Sequence, residues 1–308
     1  MQANNLVAII TCQRPQGLLR LIKALQQQKT EESSFDILIV DNACQPDIAK
    51  LISSQAVNSH VSIYYEQESI PGIVAARNKC VSWFLKQQYN ALVFIDDDEW
   101  PANENWLNKL VQAQKKYQSD IVTSHVISVG EQDTPGWAVK LIYGKNKFQE
   151  GQKLTTFYTN NLLIRRPVLQ QLQPAFDQRF AMTGASDYHF ALRCRKLGFT
   201  AYYTDAPVIE EFPTSRANLK WFLRRGFRSG IGYSRSHLFE ERFIIAILLC
   251  IFMFAMRVAR GCIKLLYGIV TLNRTRVTEG LFRFASAIGT LAGLFGTKVN
   301  EYRVIHGK

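Results

Sequence analysis

Three short apolar runs each end in a polar cluster, and this repeated junction constrains the fold of the chain more than any other feature. Residues 6–10 lead into Thr11-Cys12-Gln13-Arg14-Pro15, residues 35–40 into Asp41-Asn42, and residues 91–95 into Asp96-Asp97-Asp98-Glu99. Runs this apolar suit strands covered on both faces. Segments with helical spacing separate them. Pro15 suits a first helical turn, with Leu18, Leu19, Ile22 and Leu25 forming an apolar face. Pro71-Gly72 opens a second helix running to about Gln88, with Ile73, Ala76, Cys80 and Phe84 inward, and a third runs from about Asn103 to Tyr117. Residues 61–65 read as a weaker strand. The alternation predicts an α/β fold with a mixed, mainly parallel sheet flanked by helices. Ligands of such sheets bind beyond the carboxyl ends of the strands. The three polar clusters therefore converge on one edge.

Residues 120–214 read as a second half that completes the sheet and covers that edge. Stretches 121–129, 155–164 and 199–203 have strand character. Residues 187–197 form an amphipathic helix with Phe190, Ala191, Cys194 and Leu197 on one side.

The acidic run carries the strongest chemical signal. Four adjacent acids repel one another, and a cation relieves them. Carboxylate oxygens suit a hard divalent ion such as Mg²⁺, which typically keeps one or two carboxylates plus substrate phosphates. In an extended segment Asp96 and Asp98 share one face, with Asp97 and Glu99 on the other. A solvated acidic loop capping the next helix is the plainer alternative. Asp41-Asn42 has a turn reading. Arg77 on the second helix reads as a diphosphate clamp or a surface arginine. Asp187 reads as a helix cap or a functional acid.

Taken in order, these residues resemble the inverting glycosyltransferases of family 2, which have the GT-A fold. The pattern covers roughly residues 5–235. It runs through 7–15, Ile39-Val40-Asp41-Asn42, Ile73 to Asn78, Phe94 to Pro101, Thr183-Gly184-Ala185-Ser186-Asp187 and Arg224-Arg225 to Arg228. The nearest subgroup is that of bacterial exopolysaccharide and lipopolysaccharide assembly, of the succinoglycan type. The resemblance implies a nucleotide-sugar donor, with UDP favoured, and a lipid-linked or saccharide acceptor. It implies that Thr11, Asp41 and Asn42 hold the nucleoside and that Arg77 contacts the diphosphate. Asp96, Asp97 and Asp98 would form the D-x-D region, Asp98 binding Mn²⁺ or Mg²⁺. Asp187 would be the general base. Arg224 and Arg228, with Arg225, would close over the diphosphate or form a basic face toward a membrane.

Two departures stand out. Ser186 replaces the Glu that usually precedes the base. The stretch where many GT-A enzymes place a metal-binding His offers Glu210 or Glu211, while His189 and His237 are weaker candidates. The Gln-x-x-Arg-Trp segment of processive synthases is absent, so transfer of a single sugar is expected. A nucleotidyltransferase would need a Gly-rich basic loop after the first strand, which residues 11–15 do not supply. A non-catalytic scaffold with this fold is the remaining alternative.

The tail has a different character. Residues 215–308 hold 16 of the 37 Lys+Arg but only 4 of the 25 Asp+Glu, so the whole net charge of +12 resides there. Such asymmetry suggests a polyanionic partner. Residues 243–256 are uncharged and span about 21 Å as a helix, short of a bilayer core of roughly 30 Å. Arg257, Arg260 and Lys264 then share one helical face, a pattern suited to cations at lipid headgroups. A second apolar stretch, 284–295, is broken at Gly289 and Gly293. The tail from 236 to 308 is therefore expected to be a helical membrane-association region behind a catalytic domain at 1–235. Attachment at the surface is the leading expectation, with true spanning and a buried soluble subdomain as alternatives. Its apolar content argues against nucleic acid. No long apolar run precedes residue 240, which excludes a polytopic membrane protein. Six scattered cysteines without C-x-x-C spacing read as reduced thiols. With no secretory signal at the start, the expected location is the cytoplasmic side of the membrane, in bacteria the inner membrane.

Overall fold

The structure, a computed structural model, describes residues 4–29, 33–57, 59–142 and 148–299. Strand β1 (Asn5–Thr11) is followed by α1 (Pro15–Gln26), β2 (Phe35–Asp41), α2 (Pro46–Ala56), β3 (Ile63–Gln67) and α3 (Ile73–Lys86). Next come β4 (Ala91–Asp96), β5 (Glu99–Pro101), α4 (Trp106–Tyr117), β6 (Ile121–Thr123), β7 (Val126–Gly130) and α5 (Gly136–Ile142). The second half holds β8 (Lys153–Leu154), β9 (Asn161–Arg165), α6 (Arg166–Gln171), α7 (Ser186–Lys196), β10 (Ala201–Tyr203) and β11 (Val208–Phe212). Three helices end the chain: α8 (Leu219–Glu240), α9 (Phe243–Val270) and α10 (Arg274–Leu294).

The main sheet has the order β3-β2-β1-β4-β9-β6-β10-β8. Its first four strands are parallel, and β9 runs antiparallel to both β4 and β6. Alternation along β1 divides the core. Val7 and Ile9 pack with α1 and α4, while Leu6, Ala8 and Ile10 pack with α3, α6 and α7. Because both faces are covered, β1 is buried along its whole length. Each such Leu or Ile contributes about 1.5–3 kcal/mol by leaving water.

Several elements differ from the sequence reading. Helix α2 was not foreseen, because its buried face is only Ile48 and Ile52. The strand expected at 61–65 lies at Ile63–Gln67. The single strand expected at 121–129 is two: β6 stays in the main sheet, while β7 joins a second sheet ordered β5-β11-β7. Of the stretch 155–164, only its end, from Asn161, is strand.

The tail corrects a further expectation. Gly289 and Gly293 do not interrupt a helix; they let α10 meet α8. A side chain at Gly289 would collide with the Phe227 backbone, and one at Gly230 with Ser286. Nor do the cations of α9 share an outward face. Arg257 donates to the Ser286 carbonyl at 3.2 Å, and Lys264 pairs with Glu279 at 3.0 Å. Their helical position turns them onto α10, where Glu279 and the Ser286 carbonyl receive them. Helix α8 runs through the boundary expected at 235/236.

Candidate active site

Parallel pairing places Ile10 beside Asp96 and Thr11 beside Asp41. The ends of β1, β2 and β4 thus meet at one edge. The acids do not alternate as in a strand, because Asp97 and Asp98 form the turn between β4 and β5. Both therefore converge on one guanidinium. Arg14 Nη1 donates to Asp97 Oδ1 at 3.0 Å and to Asp98 Oδ2 at 2.6 Å. Burial works against that guanidinium's charge, but Asp98, Asp97 and Asp96 outweigh it and hold Arg14 firmly protonated. Sequence reasoning passed over Arg14; its signal was a position in the loop after β1, the strand adjacent to β4.

Thr11 is fully buried, and its hydroxyl donates to Asp97 Oδ2 at 2.9 Å. Asp41 is also buried. It accepts from the backbone N–H of Ala43 at 2.9 Å and of Gln45 at 2.7 Å, and from the Tyr65 hydroxyl at 3.1 Å. Asn42 accepts from the Gly72 N–H at 2.9 Å and donates to the Ile70 carbonyl at 2.8 Å, pinning the loop that opens α3. These three residues shape the edge from beneath.

The acids behind the edge are crowded. Burial pushes the carboxyls of Asp96, Asp97, Glu99 and Glu210 upward; their acidic neighbours add to this, and nearby arginines offset part of it for Asp96, Asp97 and Glu210. Glu210 on β11 lies opposite Glu99 in the second sheet. Its Oε2 is buried without a hydrogen-bond partner, and Arg216 approaches Oε1 at 3.7 Å. Glu211 instead points outward, to Arg20 at 3.0 Å. Among the described residues, no three His, Cys, Asp or Glu side chains are gathered so as to enclose a metal ion.

The opposite wall comes from α3 and α7. Buried Arg77 donates to Ser186 Oγ at 3.1 Å, so Ser186 anchors an arginine. The charges of Arg77 and Asp187 both reach Asp96. Asp187 lies in the first turn of α7, half-buried, with Oδ1 accepting from the Tyr188 N–H at 2.8 Å. Tyr158, 59% exposed and unassigned by sequence reasoning, feels the charges of Asp187 and Arg225.

Helix α8 closes the site from the tail side. Arg228 lies against Gly184, and Arg224 is exposed on the same helix. A side chain at Gly232 would collide with Ala185, which has a left-handed φ of 69°. His189 and His237 serve the α7–α8 contact rather than the acidic edge. His189 Nε2 lies 2.8 Å from Glu240, and His237 Nε2 lies 3.1 Å from the Tyr188 hydroxyl.

Solved structures share this architecture. Mannosyltransferase PcManGT from Pyrobaculum calidifontis, in complex with GDP-Man and Mn²⁺, superposes with a TM-score of 0.61 at 15% identity, over 94% of this chain and 88% of that one. S. aureus TarS 1–349 in complex with UDP-GlcNAc does so with a TM-score of 0.53 at 14% identity, over 99% and 95%. The fold is that of the GT-A glycosyltransferases. In sequence, the succinoglycan biosynthesis protein ExoM of Rhizobium meliloti (strain 1021) is 25% identical over 237 residues, 74% of each chain. The family model for glycosyl transferase family 2 matches residues 6–173. The chain belongs to that family and is a glycosyltransferase.

Proposed function

We propose that the protein moves one sugar, with inversion, from a nucleoside-diphosphate donor, UDP favoured, to a lipid-linked or saccharide acceptor at the cytoplasmic face of a membrane. The observation that carries this reading is the Arg77–Ser186 contact at 3.1 Å. It ties an arginine suited to the diphosphate to the helix that presents Asp187, and the charges of both act on Asp96.

The acceptor oxygen attacks the anomeric carbon as the bond from that carbon to the diphosphate breaks. The hydroxyl proton passes to Asp187, and the electron pair leaves on the diphosphate oxygen. Arg77, with Arg224 and Arg228 from α8, binds the departing charge. Thr11, Asp41 and Asn42 hold the nucleoside pocket in shape, and Thr11 also fixes Asp97. The residues fit a hard divalent cation, Mn²⁺ or Mg²⁺. The acids of the turn offer only oxygens, Asp98 is more exposed there than Asp97, and Glu210 Oε2 is buried without a hydrogen-bond partner. Bound there, the ion would neutralise the diphosphate, whose oxygens would complete its shell. PcManGT, solved with Mn²⁺ and a nucleotide sugar, supports this reading.

The test is thermal stability against a panel of nucleoside diphosphates, with Mn²⁺ and with chelator. A ligand that binds only the native state raises its apparent stability. A metal-dependent rise with one nucleotide, lost in Asp98→Ala, is expected. No rise with any nucleotide would favour the non-catalytic scaffold.

A further inference from the structure

We infer that α9 lies flat in the surface of an anionic bilayer, immersed along its outer face, and does not cross it. This rests on the membrane reading above and specifies its geometry.

The helix is long and apolar enough to cross a membrane, with 28 residues and a mean hydropathy of 2.3 in its most apolar window. Only 11% of that window is buried. Packing decides what such a helix does, and here both of its ends are tied to the catalytic unit. Just before its start, Glu240 faces His189 at 2.8 Å and Glu241 pairs with Lys196 at 3.5 Å; both partners belong to α7. Just beyond its end, Arg274 lies 4.4 Å from the ring centroid of Trp137, on α5. Between those ties α9 doubles back along α10. Arg257 reaches Ser286, Gly261 meets Phe284, and Gly268 meets Val277, an antiparallel register. On its other side α10 runs parallel to α8, with Gly226 at Phe282 and Gly230 at Ser286. Helix α9 packs along α10 and also touches α8, where Arg257 lies 5.1 Å from the Tyr233 ring centroid. A crossing would carry one end of α9 about 40 Å from the other along the bilayer normal. It would take with it Lys264, Arg276, Glu279 and Arg283, which pair with one another, and one of the two ties to the catalytic unit.

The outer face suits an in-plane position. At about 100° per residue, Ile244, Leu248, Phe252, Ile263, Leu266 and Val270 share one arc. All six are more than half exposed, and no charged residue lies on that arc. The charges of Arg257 and Lys264 are turned onto α10. Arg260 lies about 60° beyond the arc, exposed, where its long stem can reach headgroups. Apolar surface along the whole helix, flanked by a net-positive tail, is complementary to an anionic lipid surface and to immersion of about 5–10 Å.

The test uses full-length protein and phosphatidylcholine vesicles containing phosphatidylglycerol. Cys12 and Cys44 are changed to Ser. A fluorophore is placed on native Cys262 or, with Cys262→Ser, on Ile244→Cys or Ala255→Cys; all three positions are exposed on the outer arc. Folding of each is checked by circular dichroism, and depth is read by lipid-borne quenchers on the floated fraction. The in-plane geometry predicts three depths that agree within about 5 Å. A spread of more than about 15 Å in floated protein, which the helical rise would produce on crossing, overturns the in-plane geometry and leaves membrane binding intact. Folded protein that does not float overturns the membrane reading itself.

Discussion

The Arg235 guanidinium on α8 donates to Thr183 Oγ1 at 2.6 Å and to the Arg179 carbonyl at 2.8 Å. The tail helix therefore holds the segment that leads directly into Asp187. Arg235→Ala leaves buried oxygens without a donor and is expected to cost about 3 kcal/mol of stability. In folded protein it should lower kcat while nucleotide binding is kept, with partial recovery in Arg235→Lys. Denaturant unfolding and steady-state kinetics read both effects. A folded Arg235→Ala variant with unchanged kcat would count against this positioning role.

Asp187→Asn keeps the shape of the side chain and removes its ability to take a proton. Transfer is expected to fall by about 100- to 10,000-fold. Because Ser186 rather than Asp187 receives Arg77, the nucleotide-induced thermal shift should persist. Loss of that shift would move Asp187 from the acceptor side to the donor side.

The α7–α8 contact should weaken in acid. Burial of His189 pushes its imidazole down, and the Glu240 carboxylate only partly offsets this. The folded state then holds fewer protons than the unfolded chain. Stability from this group is present above an ordinary His value of about 6.5 and is lost as pH falls through the lower folded value. His189→Gln should therefore lose less stability than the parent between pH 7 and 5, read as melting temperature against pH. Parallel curves would remove His189 from the acid response.

Gly289→Leu is expected to separate α8 from α10, because a Cβ there already collides with the Phe227 backbone. The expected loss is about 3 kcal/mol or more, in the range of overpacked cores. The parallel sheet should keep its fold. Limited proteolysis should then cut first in the tail, whereas unchanged protection of the tail would contradict the close approach.

Much of the carboxylate edge was legible because it follows from local chemistry. Runs such as 35–40 and 91–95 are short and mostly apolar, as covered strands are, and the acids that follow them fall at the strand ends. Asp187 was legible as a residue in the first turn of a helix. What each side chain touches there was not. The D-x-D acids were read as an alternating strand, but a turn bends Asp97 and Asp98 onto Arg14, and sequence spacing does not encode a turn's side-chain directions. Likewise Ser186 read as a loss and proved to be an anchor for Arg77, 109 residues away.

The sequence by itself determined the sheet-and-helix alternation, the carboxylate edge and an apolar, basic tail, because hydrophobic period and charge are properties of neighbouring residues. The tertiary structure alone decided which cations of α9 face inward, that glycines of α8 and α10 are contact points, and that α9 folds back along the domain. Those outcomes depend on helix–helix register and on partners such as Glu279, Ser286 and Phe227. Distances between such segments are set by packing of the whole chain, which no local pattern contains.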